Sequence, residues 1–75
     1  MTGAEGRGRV TNRIRKLREA AGLTQAELAD RVGATRQTII AIEKGKFGPT
    51  VGLALALARV LKVSVEDLFW LVPDD

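Results

Sequence analysis

Two short runs of helical periodicity, one opening at Thr24 and one at Thr35, are separated by little more than Gly33 and Ala34, and this joint constrains the fold more than any other feature. Thr24 is followed three residues later by Glu27, the spacing of a capping box in which hydroxyl and carboxylate each satisfy a backbone amide of the first turn. Leu28, Ala29 and Val32 then form one inward stripe, and Gly33 ends the segment. Thr35 can cap the next helix, whose inward pair is Ile39 and Ile42 and whose end is marked by Gly45.

The flanking sequence supplies three more helices. Ile14, Leu17 and Ala21 lie at i, i+3 and i+7, with Arg13, Arg15, Lys16 and Glu19 on the other faces, so the periodicity predicts a helix from about Asn12 to Gly22. Phe47-Gly48-Pro49 breaks the chain, Thr50 restarts it, and Val51 to Leu61 is apolar almost all round, as in a buried helix. Ser64 opens a last short helix with Glu66 and Asp67 near its positive dipole end, and Pro73 stops regular structure. Residues 1–9, with Gly3, Gly6 and Gly8, read as a flexible tail; 10–72 read as one domain and 73–75 as its end. The expected fold class is all-α, with five helices. At 75 residues there is one core, burying about 60% of the unfolded surface. With neither cysteine nor histidine, disulfides and the usual zinc-finger ligand sets are excluded, and no cofactor or small-molecule ligand is suggested. No apolar run approaches the roughly 20 residues of a membrane span, and no signal peptide is visible, so an intracellular, cytoplasmic protein is expected.

Charge divides the chain. Residues 1–46 carry ten Lys/Arg against five Asp/Glu, whereas residues 47–75 carry two against four. A basic half suits a polyanion, although a solvated basic surface is the simpler reading of charge alone. The joint favours the polyanion: two helices linked by a short glycine-containing turn match a helix-turn-helix. In that motif the second helix lies in the major groove of double-stranded DNA while the first crosses the backbone. Arg36, Gln37, Ile40, Ala41 and Lys44 share the outer face of this helix, opposite Ile39 and Ile42. Arginine pairs bidentately with guanine, glutamine with adenine, and apolar side chains meet thymine methyls, so Arg36, Gln37, Ile40 and Ala41 are the candidate base readers. An isoleucine at position 40 is read as exposed and in need of a partner. Gln25 opens the first helix of the motif, where free amides hold phosphate, and Lys44 and Lys46 flank the far end of the second.

Ile14 to Leu68 resembles the phage repressor/Cro-like, or Xre-type, helix-turn-helix family. The matching stretches are Ile14-Arg15-Lys16-Leu17-Arg18, Leu23-Thr24-Gln25-Ala26-Glu27-Leu28-Ala29, Arg36-Gln37-Thr38-Ile39, Ile42-Glu43-Lys44-Gly45-Lys46, Pro49-Thr50 and Val63-Ser64-Val65-Glu66-Asp67-Leu68-Phe69. The resemblance is to compact stand-alone bacterial members and implies a lambda-repressor-like domain that binds operators as a dimer. It further implies that Gln25 clamps a phosphate, that Thr35, Arg36, Gln37 and Ala41 approach bases, and that Thr38 lies near the backbone. Arg18 and Glu43 match a pair that forms a largely buried salt bridge, which makes Arg18 structural. The resemblance also allows Arg9-Val10-Thr11 and Trp70-Leu71-Val72 to form a small antiparallel sheet. The arginines of the tail either reach a minor groove, as basic arms do, or have no docked role.

The chain has more apolar surface than one small core requires. Ala54, Leu57, Ala58 and Leu61 make a core stripe, leaving Leu53, Leu55 and Val60, with Phe69, Trp70, Leu71 and Val72 beyond them. Such a patch points to a homodimer interface, presenting two recognition helices about 34 Å apart to a pseudo-palindromic operator. The leading function is thus a sequence-specific transcriptional regulator, a repressor. The alternatives are an antitoxin or controller protein of a paired gene system, and a protein-interaction module that has lost DNA binding. Nothing suggests an enzyme.

Overall fold

The computed structural model of the chain describes residues 9–46 and 48–73. The order is β1 (Arg9–Asn12), α1 (Ile14–Ala20), α2 (Gln25–Val32), α3 (Arg36–Glu43), α4 (Val51–Leu61), α5 (Val65–Leu68) and β2 (Phe69–Val72). The hydroxyls of Thr24, Thr35, Thr50 and Ser64 each accept from the amide three residues on, which sets the starts of α2 to α5. Helix α2 ends at Gly33, whose φ of 74° only glycine adopts cheaply, and the Ala34 amide folds back to the Ala29 carbonyl at 2.9 Å. That reversal aims α3 across α2.

The fully buried large side chains are Ile14, Leu28, Ile39, Ile42, Leu57 and Leu68, so each of the five described helices contributes to one core. The inward stripes of α2, α3 and α4 are those the periodicity predicts, although Ala54 is only half-buried. The expectations for α1 need correction. Ala21 is exposed beyond the helix end, and the buried partner of Ile14 is Arg18. Three residues assigned to a surplus apolar surface, Leu53, Val60 and Phe69, are partly buried against the core instead.

A two-stranded antiparallel sheet joins the chain ends to this helical body, pairing Arg9 with Val72, Val10 with Leu71, Thr11 with Trp70 and Asn12 with Phe69. The predominantly helical expectation holds, and the small antiparallel sheet that the resemblance allows is present, lengthened by the Asn12–Phe69 pair. Aromatic and branched residues favour extended backbone here once a partner strand supplies hydrogen bonds. The expected tail lies outside the described residues except for Arg9, which begins β1.

One ion pair crosses the core. Arg18 Nε donates to Glu43 Oε2 at 2.8 Å and Nη2 to Oε1 at 3.4 Å, while Nη1 donates to the Leu23 carbonyl at 2.9 Å. The two side chains are only 10% and 4% exposed. The hydrogen bond to Glu43 raises the guanidinium pKa, against the opposing effect of burial. Replacing such a pair with apolar groups costs little, but removing one partner strands a buried charge. Glu43→Ala is therefore expected to lose about 3–5 kcal/mol of stability, read from the urea midpoint, and Arg18→Met with Glu43→Leu to recover most of it. Equal losses in the single and double variants would mean that the charges matter only as volume.

At the start of α2, Glu27 accepts from the Thr24 amide at 2.8 Å and the Glu27 amide donates to Thr24 Oγ1 at 3.0 Å. The Thr24 amide, then its hydroxyl, hold the Glu27 carboxyl below its ordinary pKa of 4.5. A lowered folded-state pKa stabilises fully above the ordinary range and is lost as pH falls through the lowered value. Wild type should thus melt above Glu27→Gln at neutral pH, with the gap closing on acidification. A gap unchanged by pH would show that the carboxylate charge takes no part in the cap.

Candidate nucleic-acid interface

Helix α3 buries Ile39 and Ile42 and turns Arg36 and Gln37 outward in its first turn, where both are exposed. Thr35 and Thr38 brace this end: the Thr38 amide donates to Thr35 Oγ1 at 3.1 Å, and the two hydroxyls lie 3.0 Å apart. Ile40 and Ala41 follow on the same side. They are half-buried, so the expectation of an exposed Ile40 is corrected. Ile40 lies in a shallow groove with Thr24, Gln25 and Lys44, and Arg15 and Glu19 of α1 form part of its lining. Helix α2 packs against α3, and the groove that brings Gln25 and α1 residues beside Ile40 is a proximity that helical periodicity does not encode.

Gln25 sits in the same groove, and its side-chain amide donates to Glu43 Oε1 at 3.2 Å. Glu43 thus receives hydrogen bonds from both α1 and α2, and this ties the first residue of α2 to the last residue of α3. An amide nitrogen carries two hydrogens, so one remains for an acceptor outside the protein.

The far end of α3 is equally determined. Gly45 has φ of 74°, its amide bonds the Ile42 carbonyl at 2.9 Å, and the Lys46 amide bonds the Ala41 carbonyl at 3.0 Å. This closing turn leaves Lys44 and Lys46 exposed on either side of the glycine. The Ile42 carbonyl also accepts from Asn12 Nδ2 at 2.9 Å, while Asn12 Oδ1 accepts from the Ile14 amide at 3.0 Å. Asn12 was missed as a positioning residue: one side chain both starts α1 and holds the end of α3. Its rank among helix-capping residues was the available signal. Every buried side-chain nitrogen and oxygen among the described residues has a hydrogen-bond partner.

The residues expected on a second, apolar face do not stay together. Val10, Pro49, Val51, Leu55, Val65 and Phe69 line one shallow apolar depression. Leu55 and Leu71 are 57% and 54% exposed, and Val72 is half-buried. Trp70 lies elsewhere, in a groove with Asn12, Arg13, Arg15 and Lys16. Among the described residues no helix is long and apolar enough to cross a membrane, and no cluster of acidic side chains could hold a metal ion.

The outward polar face, the capped turn and the basic flanks are the parts of a helix-turn-helix, and comparison with known proteins agrees. The helix-turn-helix family profile matches residues 14–68. A protein of Methanothermobacter thermautotrophicus named as an uncharacterized HTH-type transcriptional regulator is 55% identical over 62 residues, covering 81% of this chain and 90% of its own. The HTH-type transcriptional regulator YgzD of Bacillus subtilis, also named as uncharacterized, is 43% identical over 60 residues, covering 80% and 91%. These relatives include an archaeal protein, so the resemblance is wider than the expected bacterial members. The P22 c2 repressor, crystallised in complex with a synthetic operator, superposes with a TM-score of 0.69 at 30% identity, covering 71% of this chain and 80% of the repressor chain. With its fold, its motif and its relatives in agreement, the chain belongs to the phage-repressor-like, Xre-type helix-turn-helix family of DNA-binding transcriptional regulators.

Proposed function

We propose that this chain is a sequence-specific repressor that binds a pseudo-palindromic operator as a homodimer, with α3 in the major groove. The observation that carries the reading is the outer face of α3: Arg36 and Gln37 stand exposed at its start, with Ile40 and Ala41 behind them. Arg36 presents two donors to guanine O6 and N7, Gln37 a donor to adenine N7 and an acceptor to its N6 amino group, and Ile40 and Ala41 offer surfaces for thymine methyls. Gln25, Thr35, Thr38, Lys44 and Lys46 contact phosphates and set the register. That the P22 c2 repressor, similar in fold, was crystallised with an operator supports a duplex-DNA ligand for this chain.

Arg36→Ala or Gln37→Ala is expected to weaken operator binding by roughly 1–3 kcal/mol and to relax preference at particular base pairs. Lys46→Ala should weaken all sequences alike and lower the slope of log affinity against log salt by about one. The check is titration of each variant against a selected operator and single-base variants of it at several salt concentrations. Identical profiles for the two kinds of variant would refute the division into readers and clamps.

The dimer reading rests on the apolar depression around Leu55 and on exposed Val51 and Leu71, which one small domain leaves uncovered. Phe69 lines that depression while packing partly against the core, as Leu53 and Val60 also do. Leu55→Glu should yield a monomer by sedimentation that keeps its half-site affinity but loses about a hundredfold or more on the full operator. A wild-type chain that sediments as a monomer on the full operator would remove the dimer.

A further inference from the structure

Trp70 was expected in the apolar face, yet its indole covers a cation: the Arg13 guanidinium carbon lies 5.0 Å from the ring centroid. The two line a groove with Asn12, Arg15, Lys16 and Glu19. Glu19 is engaged by Arg15 at 3.2 Å, and Glu43 on the groove wall is engaged by Arg18 and Gln25. Among the described residues neither Arg13 nor Lys16 has a carboxylate within ion-pair distance. The groove therefore keeps uncompensated positive charge. Stacking on tryptophan orients a guanidinium without neutralising it, which lowers the side-chain entropy lost when an anion arrives.

The groove also has a direction. It shares Arg15, Glu19 and Glu43 with the adjoining groove that holds Gln25, Ile40 and Lys44. A polyanion lying along Gln25 and α3 is thereby led onto α1. We propose that Arg13, held by Trp70 and flanked by Lys16, is a second contact to the phosphate backbone of the bound duplex, outside the helix-turn-helix itself. The inference rests on the DNA-binding reading above. Trp70 acts as a positioning residue for Arg13, and β2 thus contributes to the DNA-binding surface. The contact is to phosphate, so it adds affinity without base preference.

The test measures binding to operator and to unrelated duplex as a function of salt, for wild type, Arg13→Ala, Trp70→Ala and the double variant. Arg13→Ala is expected to lower the salt slope by about one and to weaken both duplexes by the same factor. Trp70→Ala should weaken binding about two- to fivefold when Arg13 is present and have no further effect in the Arg13→Ala background. Trp70→Phe, which keeps an aromatic face, should restore most of the affinity and provides the comparison if Trp70→Ala proves unstable. The emission of Trp70, the single tryptophan, should change on adding duplex. The proposal is overturned if Arg13→Ala binds with the wild-type slope, or if Trp70→Ala weakens binding equally in both backgrounds; the operator reading would survive either result. Failure of the wild type to bind any duplex would instead overturn the DNA-binding reading and this inference with it.

Discussion

The Arg18–Glu43 pair is where three helices meet, and the placement of α3 depends on it. A carboxylate at the last residue of α3 lies against the negative end of that helix's dipole, an unfavourable place by itself. It is tolerated because Arg18 faces it from α1 at 2.8 Å and Gln25 donates to it from the start of α2. Arg18 also holds the Leu23 carbonyl, the last turn of chain before α2. The pair adds little net energy over apolar substitutes, but its directional bonds permit few alternative arrangements. A hydrophobic contact at the same point would lack those directional bonds between α3 and the other two helices.

A second constraint acts from the chain ends. Helix α1 has no hydroxyl cap, and its start is fixed by Asn12, which is at once the last residue of β1 and a donor to the Ile42 carbonyl. The sheet exists because Phe69 to Val72 continue α5 in extended form and find β1 alongside. The strand pair thereby connects the apolar surface, through Asn12, to the end of α3 where Lys44 and Lys46 project.

Most of the fold is legible from local chemistry. Thr24, Thr35, Thr50 and Ser64 are followed by helices because a hydroxyl satisfies an amide that the helix leaves unpaired, and this requires only neighbouring residues. Gly33 and Gly45 mark helix ends for a similarly local reason. The inward pairs of α2 and α3 follow from periodicity. What periodicity misplaced was Ala21, which falls just beyond the end of α1, and Ile40, which is half-buried beside Gln25 and Lys44; the burial of Arg18 against a partner 25 residues away follows from the family resemblance and not from helical spacing. The candidate site divides the same way. The outward placement of Arg36 and Gln37 was legible, whereas the bonds of Asn12 and the stacking of Arg13 on Trp70 were not.

By itself the sequence determined the helices, the turn between α2 and α3 and the residues on each face of α3, because capping, glycine conformation and helical periodicity act over a few residues. Only the tertiary structure decided which apolar residues remain uncovered, that Gln25 joins the Arg18–Glu43 pair, and that Trp70 stands with Arg13 rather than with Leu55. Those outcomes depend on which segments approach one another, and burial, ion pairing and stacking come into being only once they do.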